Sequence, residues 1–361
     1  MQEITCIRVG YGRVAQIHES KMQEYGVKTV AIVETNEQKA LQAQQKGFIV
    51  FNTCLEAAKL NPGFWDICVS TDQHFEIVKE IIKVAPKANI LVEKPICLFS
   101  EISDFKKKLL DFQGKITVNE NYASSIIKDI VKKSAIQDLH ITPKKIVVEF
   151  TKNRELDFIK GRFIDNDLGA LGYEGSHMVA LVSALLAEDM PHNILETEFN
   201  DFVFQDSQQY LDNQGSAYIR YKSSSGVEIE LYTSMMGKIK YNYPLFFTDD
   251  IPHQDQESKY RMLALHGSDC HNDQYCVVGF LEPINYFNRC QGAVYVSKNG
   301  KIEKIIAPIC DDTMMLHFQK TLSYFQGKAE NPYSAEMGIK IVQILHSLTT
   351  NMRNSKYLVA S

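Results

Sequence analysis

Apolar and polar positions alternate in two rhythms along this chain, and the rhythm changes between residues 122 and 144. Ile4, Ile7 and Val9 form a short apolar run. Val14, Ile17, Met22 and Tyr25 follow at roughly helical spacing, so a strand, a turn and a helix are expected over 4–25. Strands are expected again at 27–33, 48–51, 65–70, 89–92 and 116–118, with helices at 40–45, 53–59, 75–84 and 101–112 between them. Such repetition predicts a parallel sheet with helices on both faces, because each parallel pair needs a crossover. From Lys144 onward the strands (146–150, 217–221, 227–232, 262–265, 293–296 and 302–306) are separated by turn signals such as Ser224-Ser225-Gly226 and Lys298-Asn299-Gly300. Turns of that kind join antiparallel neighbours, so a mainly antiparallel sheet is expected there. Met337, Ile341, Ile344, Leu345 and Leu348 give one apolar face to a closing helix over 335–351. The chain divides on this pattern into an α/β domain over 1–122, an α+β domain over 123–334, and a segment over 335–361 whose helix packs back on the body.

The first turn carries candidate chemistry. Gly10-Tyr11-Gly12-Arg13-Val14-Ala15 has the G-x-G-x-x-A form of a dinucleotide-binding turn. Gly10 permits the bend, Gly12 lets backbone approach a pyrophosphate, and Ala15 lets helix and strand pack closely, with the phosphates on the helix N-terminus. The second strand ends at Glu34, about twenty residues on, where a carboxylate accepts hydrogen bonds from an adenosine ribose. An acid there repels a 2′-phosphate, and Thr35-Asn36-Glu37-Gln38 brings no arginine, so NAD is favoured over NADP; Lys39 keeps NADP open. A Rossmann-type domain follows, with Gly10, Tyr11, Gly12, Arg13, Val14, Glu34 and Thr35 around the cofactor.

Composition narrows the class. A chain of 361 residues exceeds the usual size of one core, so two domains are the default. The net charge of -5 is spread along the chain, and without a basic stripe no nucleic-acid partner is expected. No apolar run is long enough to span a bilayer, and a strand beginning within a few residues leaves no room for a signal peptide, so a cytoplasmic protein is expected. The eight cysteines form no C-x-x-C pair and read as reduced, mostly buried thiols. His266-Gly267-Ser268-Asp269-Cys270-His271 offers metal-ligand residue types, but a strand over 262–265 with a turn at Gly267 reads as a polar hairpin, and no metal site is expected.

Glu93-Lys94-Pro95, after the apolar run Ile90-Leu91-Val92, joins the glycine turn and the Gly169 to His177 segment in a pattern that resembles the Gfo/Idh/MocA oxidoreductases over essentially the whole chain. The resemblance implies an open antiparallel sheet in the second domain, and often a cis bond before the proline, turning Lys94 toward a nicotinamide. Asn121-Tyr122 resembles the family's Asn-Tyr-Arg element, with Ala123 in place of the arginine. Ser70-Thr71-Asp72-Gln73-His74 resembles its loop over the cofactor without the proline, which implies cofactor contacts from Ser70, Thr71 and His74 beside Glu93 and Asn121. Tyr173-Glu174-Gly175-Ser176-His177 matches the Asp-x-Gly-x-His pattern through Gly175 and His177, while Tyr173 and Ala180 stand where the family has aspartates.

What the resemblance implies is an NAD(P)-dependent dehydrogenase or reductase acting on a secondary alcohol or ketone of a sugar, cyclitol, aminosugar or related polyhydroxylated compound. Lys94 would hold the hydroxyl and stabilise alkoxide charge, and His177 would exchange its proton, as an imidazole titrating near neutrality does. Tyr122, Arg154, Arg162, Tyr173 and Glu174 are the candidate substrate contacts. The arginines suit a phosphate or carboxylate, and Glu174, if turned inward, an amino group. The departures from the motif leave two alternatives: a catalytically silent dinucleotide or metabolite sensor, and an imine or enone reductase with Tyr173 as donor. The resemblance also implies a homodimer or homotetramer through the second sheet.

Overall fold

The computed structural model describes residues 4–186, 191–205, 207–243, 250–255, 257–282 and 287–358. The chain divides into two compact units, residues 1–124 with 314–343 and residues 125–313 with 344–361.

The first unit runs β1 (Ile4–Val9), α1 (Arg13–Gln23), β2 (Val27–Val33), α2 (Glu37–Gln45), β3 (Val50–Phe51), α3 (Cys54–Ala57), β4 (Phe64–Ile67), α4 (Thr71–Val84), β5 (Asn89–Val92), α5 (Ile102–Leu110) and β6 (Lys115–Val118). Its six strands are parallel in the order β3-β2-β1-β4-β5-β6. Parallel strands all send their carboxyl ends to one edge. The glycine turn, Glu34, the loop from Cys68 to Thr71, Glu93 and Asn119 therefore gather where this order reverses direction, the usual ligand crevice of such sheets.

One sequence expectation fails in α1. Val14 and Ile17 are 40% and 36% exposed, and the helix instead buries Ala15, His18 and Met22. The buried stripe has helical spacing, but a histidine occupies it, so a search for apolar residues selects the wrong face. A helix that the apolar pattern did not announce, over Thr313–Phe325, supplies Phe318 and Leu322 to the core of Cys6, Met22, Val27, Phe64 and Leu91.

The second unit contains α6 (Ile126–Lys132), β7 (Thr142–Thr151), α7 (Glu155–Ile159), α8 (Leu171–Leu186), β8 (Pro191–Val203), β9 (Tyr210–Ser223), β10 (Glu228–Ser234), β11 (Tyr260–Ser268), β12 (Gln274–Glu282), β13 (Gln291–Lys298) and β14 (Lys301–Cys310). The chain ends in α9 (Thr313–Phe325) and α10 (Ala335–Leu358). The eight strands lie in the order β14-β13-β12-β11-β7-β10-β9-β8, antiparallel except for the parallel pair β7 and β10. Two hairpins form where turn residues predict them: Gly226 takes φ +86°, and Asn299 and Gly300 take φ +49° and +80°. Gly267 is not a turn residue. It pairs with Tyr275 and Pro143 inside β11, and the hairpin turns at 269–273 instead.

Phe150 on β7 meets His177 of α8 on one face of this sheet, with ring centroids 6.3 Å apart. Val147, Tyr260, Met262, Ala264, Phe280 and Tyr295 form a core on the other, against Ile239, Tyr241, Tyr243 and Ile251. All eight cysteines are free; Cys6, Cys54, Cys68 and Cys97 are buried and the other four are not, so the thiols are buried less often than expected. No helix among the described residues is long and apolar enough to cross a membrane.

Glu149 lies fully buried on β7, accepting from the amides of Lys240 and Tyr241 at 2.9 and 2.7 Å and from the Thr151 hydroxyl at 2.9 Å. Burial pushes its carboxyl up to about 7. A carboxyl whose folded pKa exceeds its unfolded value favours the folded state while protonated. By linkage that contribution, on the order of 3 kcal/mol, is lost as pH rises from about 4.5 through about 7. Melting temperature followed over this window is expected to fall in the wild type and to flatten in Glu149→Gln; parallel curves would refute the assignment.

Candidate cofactor and substrate sites

The cofactor side is built by the first unit. Gly10 sits at φ +87°, and a side chain there would meet the Cys68 carbonyl and a Val69 methyl at 3.0 Å, so only glycine lets the turn pass this close to the end of β4. Around Gly12 the space is open: a Cβ there meets nothing within 4 Å. Gly12 is the N-cap of α1 and offers no side-chain cap, which leaves the first amides of the helix for an anion. Tyr11 contributes backbone only, since its ring is fully buried in the core while its amide donates to Glu34 Oε2 at 2.8 Å. Glu34 Oε1 accepts from the Asn36 amide, also at 2.8 Å. The carboxylate thus stands at the glycine turn, each oxygen keeping acceptor capacity for a hydroxyl pair. Arg13 and Val14 open α1, and Thr35 follows Glu34. Open space over Gly12, the uncapped helix end and Glu34 together fit a dinucleotide.

At the next carboxyl ends, Ser70 is the exposed N-cap of α4 and Thr71 its half-buried first residue. His74 is buried, with Nδ1 2.7 Å from the Pro95 carbonyl and Nε2 3.1 Å from that of Val69. Its ring therefore ties the loop after β4 to the corner after β5. The Lys94–Pro95 bond is cis. Lys94 is half-buried, and its amide donates to Glu93 Oε2 at 3.3 Å. Asn121 and Tyr122 are buried in the short turn that follows β6.

Sequence reasoning assigned nothing to Arg8, His18, Asp66 or Asn119, yet they cluster behind Glu93. Asp66 is fully buried between Arg8 and His18, and Asn119 donates to Glu93 Oε1. The usable signal was a lone aspartate inside the apolar strand Phe64-Trp65-Asp66-Ile67, since a buried acid requires a cation.

The second unit holds the remaining candidates. His177 lies in α8 and is 8% exposed. Gly175 beside it is required by packing, because a Cβ would come within 2.8 Å of Leu171 and 2.9 Å of Leu345. Glu174 is buried against two guanidiniums, with Arg154 Nη2 at 2.5 Å and Arg261 Nη2 at 3.1 Å. That pairing leaves little carboxylate charge for an amino group. Arg154 also reaches Asp157 at 3.0 Å, and Lys152 and Arg162 approach the same carboxylate at 3.8 and 3.7 Å. With Lys259 and Arg261 sharing Glu282, five cations meet three carboxylates in the ion pairs of this cluster. Burial, reinforced by the Arg154 charge, pushes the Lys152 amine down to about 8 and Arg162 down to about 10. The Nε atoms of Arg154 and Arg162 and the Ser176 hydroxyl are buried without a hydrogen-bond partner. The Tyr173 hydroxyl is 2.6 Å from Gln214 Oε1 and accepts from the Asp165 amide at 3.3 Å, while Arg162 stacks 5.0 Å above its ring.

Residues 4–119 match the profile of an oxidoreductase family with an NAD-binding Rossmann fold, GFO_IDH_MocA. No curated protein sequence matches the chain. Among solved structures, GenD2 from gentamicin A biosynthesis, in complex with NAD, is 13% identical with a TM-score of 0.71, covering 98% of this chain and 95% of its own. An oxidoreductase from Agrobacterium radiobacter, in complex with NAD+, L-tartaric acid and magnesium, gives 13% and 0.72 over 98% and 97%. The WlbA dehydrogenase from Bordetella pertussis, in complex with NADH and UDP-GlcNAcA, gives 13% and 0.69 over 98% of both chains. At this identity the likeness is one of fold.

Removing the Glu34 carboxylate takes away a charge-assisted pair of acceptors. Glu34→Ala is therefore expected to weaken NADH binding about tenfold or more, with a smaller loss for NADPH. Fluorescence titration with both cofactors checks this, and equal losses would remove Glu34 from the ribose site.

Proposed function

We propose that this chain, whose residues 4–119 match the profile of the Gfo/Idh/MocA oxidoreductase family with its NAD-binding Rossmann fold, transfers hydride between NAD and a CH–OH carbon of a sugar, cyclitol or related polyhydroxylated compound. The observation that carries the proposal is the Glu93–Lys94–Pro95 corner, held at the carboxyl edge of the parallel sheet that bears the glycine turn and Glu34. When bound, the nicotinamide supplies the hydride acceptor. Lys94 holds the substrate hydroxyl and stabilises its developing negative charge, and His177 accepts the hydroxyl proton. Tyr122, Tyr173, Arg154 and Arg162 are the proposed substrate contacts, with Glu174 acting through the arginines it holds.

Charge distinguishes among substrates. A cluster with more guanidinium and ammonium groups than carboxylates, and with two buried guanidinium Nε donors left over, favours a carboxylate or phosphate on the substrate over an amine. Self-association through the second sheet belongs to the same proposal; Ile302 and Ile305 are 40% and 51% exposed on its edge strand β14. A homodimer or homotetramer is the expected assembly, and light scattering of the full chain reads it directly.

The deciding experiment is a screen of neutral sugars, cyclitols, uronates, sugar phosphates and nucleotide sugars with NAD and NADP, read by nicotinamide absorbance. On the best substrate, Lys94→Ala and His177→Ala are each expected to lower kcat by about a hundredfold or more while NADH binding persists. Unchanged turnover in both removes the mechanism. With an acidic substrate, Arg162→Gln is expected to raise KM about tenfold, the cost of one charge-assisted hydrogen bond. Because Lys152 loses its charge above about 8, KM should also climb as pH passes that value, and Lys152→Met should abolish the climb.

A further inference from the structure

Three cations converge on one oxygen atom. Oδ2 of Asp157 has Arg154 Nη1 at 3.0 Å, Arg162 Nη1 at 3.7 Å and Lys152 Nζ at 3.8 Å. Lys152 and Arg154 are buried, and the side chain of Arg162, 31% exposed, opens the group to solvent. Burial by itself would raise the pKa of Asp157. The charges of Lys152, Arg154 and Arg162 together hold it below the usual carboxylate range instead, so Asp157 stands ionised among them.

The other acids of the neighbourhood are already committed. Glu174 is divided between Arg154 and Arg261, and Glu282 between Lys259 and Arg261. Glu257, whose charge also reaches Lys152, stands in solvent beside Arg289. Among the described residues, the Nε atoms of Arg154 and Arg162 are buried without a hydrogen-bond partner. Lys152 and Arg162 are both pushed down, by burial first and by the Arg154 charge second. Burying donors and positive charge in excess of their partners costs stability. An anion arriving from outside relieves that cost, and the place where it relieves most is the one Asp157 Oδ2 now fills, in reach of all three cations.

We propose that Asp157 is a built-in surrogate for a phosphate group of the substrate: it occupies the phosphate site in the ligand-free chain and gives up Lys152, Arg154 and Arg162 when that group binds. The inference deepens the proposed function and rests on its reading of Arg154 and Arg162 as substrate contacts. Displacement selects the ligand. Asp157 is tethered beside its partners on α7, so it competes at high effective concentration. An incoming carboxylate exchanges like for like against it. A phosphate monoester brings about −1.5 to −2 of charge at neutral pH and three acceptor oxygens, which serve the unused Nε donors as well as the three contacts that Asp157 makes. Until such a group arrives, the carboxylate fills the site and turns weaker anions away.

The test is binding of inorganic phosphate to full-length wild type, Asp157→Asn and Asp157→Asn/Arg162→Gln. It is read by equilibrium dialysis at neutral pH and constant ionic strength, with saturating NADH to fill the dinucleotide site. Asp157→Asn is expected to bind phosphate about tenfold more tightly than the wild type, and the double variant to lose that gain. Phosphate affinity unchanged or weakened in Asp157→Asn overturns the proposal, since the carboxylate is then an ion-pair partner of the arginines and nothing more. A gain that the double variant keeps also overturns it, because the phosphate then binds elsewhere. If Asp157→Asn does not fold, the wild type decides, through acetylation of Lys152 by limiting acetic anhydride read by peptide mass spectrometry. Labelling that phosphate slows saturably upholds the surrogate, and labelling slowed no more by phosphate than by chloride overturns it. Full turnover in both Lys94→Ala and His177→Ala would sink the proposed function while leaving the phosphate result in place, so the two failures are distinguishable.

Discussion

Burying a carboxylate in the middle of a parallel sheet is the constraint from which the first domain's chemistry follows. Asp66 has no access to water, so its charge must be met by protein groups. Arg8 from the adjacent strand meets it on one side and His18 from the first helix on the other. This second partner fixes which face of α1 turns inward. The face that packs is the one carrying Ala15, His18 and Met22, and Val14 and Ile17 go to solvent. The rotation of α1 then sets how its uncapped N-terminus stands over the glycine turn. One ion pair inside the sheet is thereby coupled to the geometry of the cofactor edge.

Charge organises the second domain differently. In the ion-pair cluster around α7 and α8 the cations outnumber the carboxylates, and Asp157 and Glu174 are each shared by two or more of them. Sharing holds α7 and α8 to the sheet while leaving cationic hydrogen-bonding capacity over. Burial first, and the neighbouring Arg154 charge second, depress Lys152 and Arg162, and each would release free energy if an anion arrived. That surplus of cationic donors is the ground on which an acidic substrate is proposed.

Much of the architecture was legible in residue order. The alternation up to Val118 specified a parallel sheet, because a period of two set against a period of 3.6 is a local property. The hairpins at Gly226 and at Asn299-Gly300 were equally plain, since positive φ selects glycine and asparagine. The glycine turn and Glu34 were legible together because their spacing is the length of one βαβ passage. Less was visible where polarity and burial part company. β8 is largely exposed and β12 was hidden beside the hairpin misplaced at Gly267, while α9 reads as an unremarkable mixed segment until Phe318 and Leu322 are seen in the core.

The residues by themselves determined the class of each domain, the position of the cofactor turn and the preference for NAD. All of these depend on spacing along the chain or on the chemistry of one side chain. Tertiary structure alone decided who compensates whom: that Glu174 is held by Arg154 and Arg261, that His74 binds the carbonyls of Val69 and Pro95, and that His18 joins Asp66 to Glu93. Apart from His74 and Val69, five residues apart, the partners in these pairs lie 20 to 87 residues apart in the chain. Electrostatic energy falls with distance in space, and distance in sequence carries no record of it.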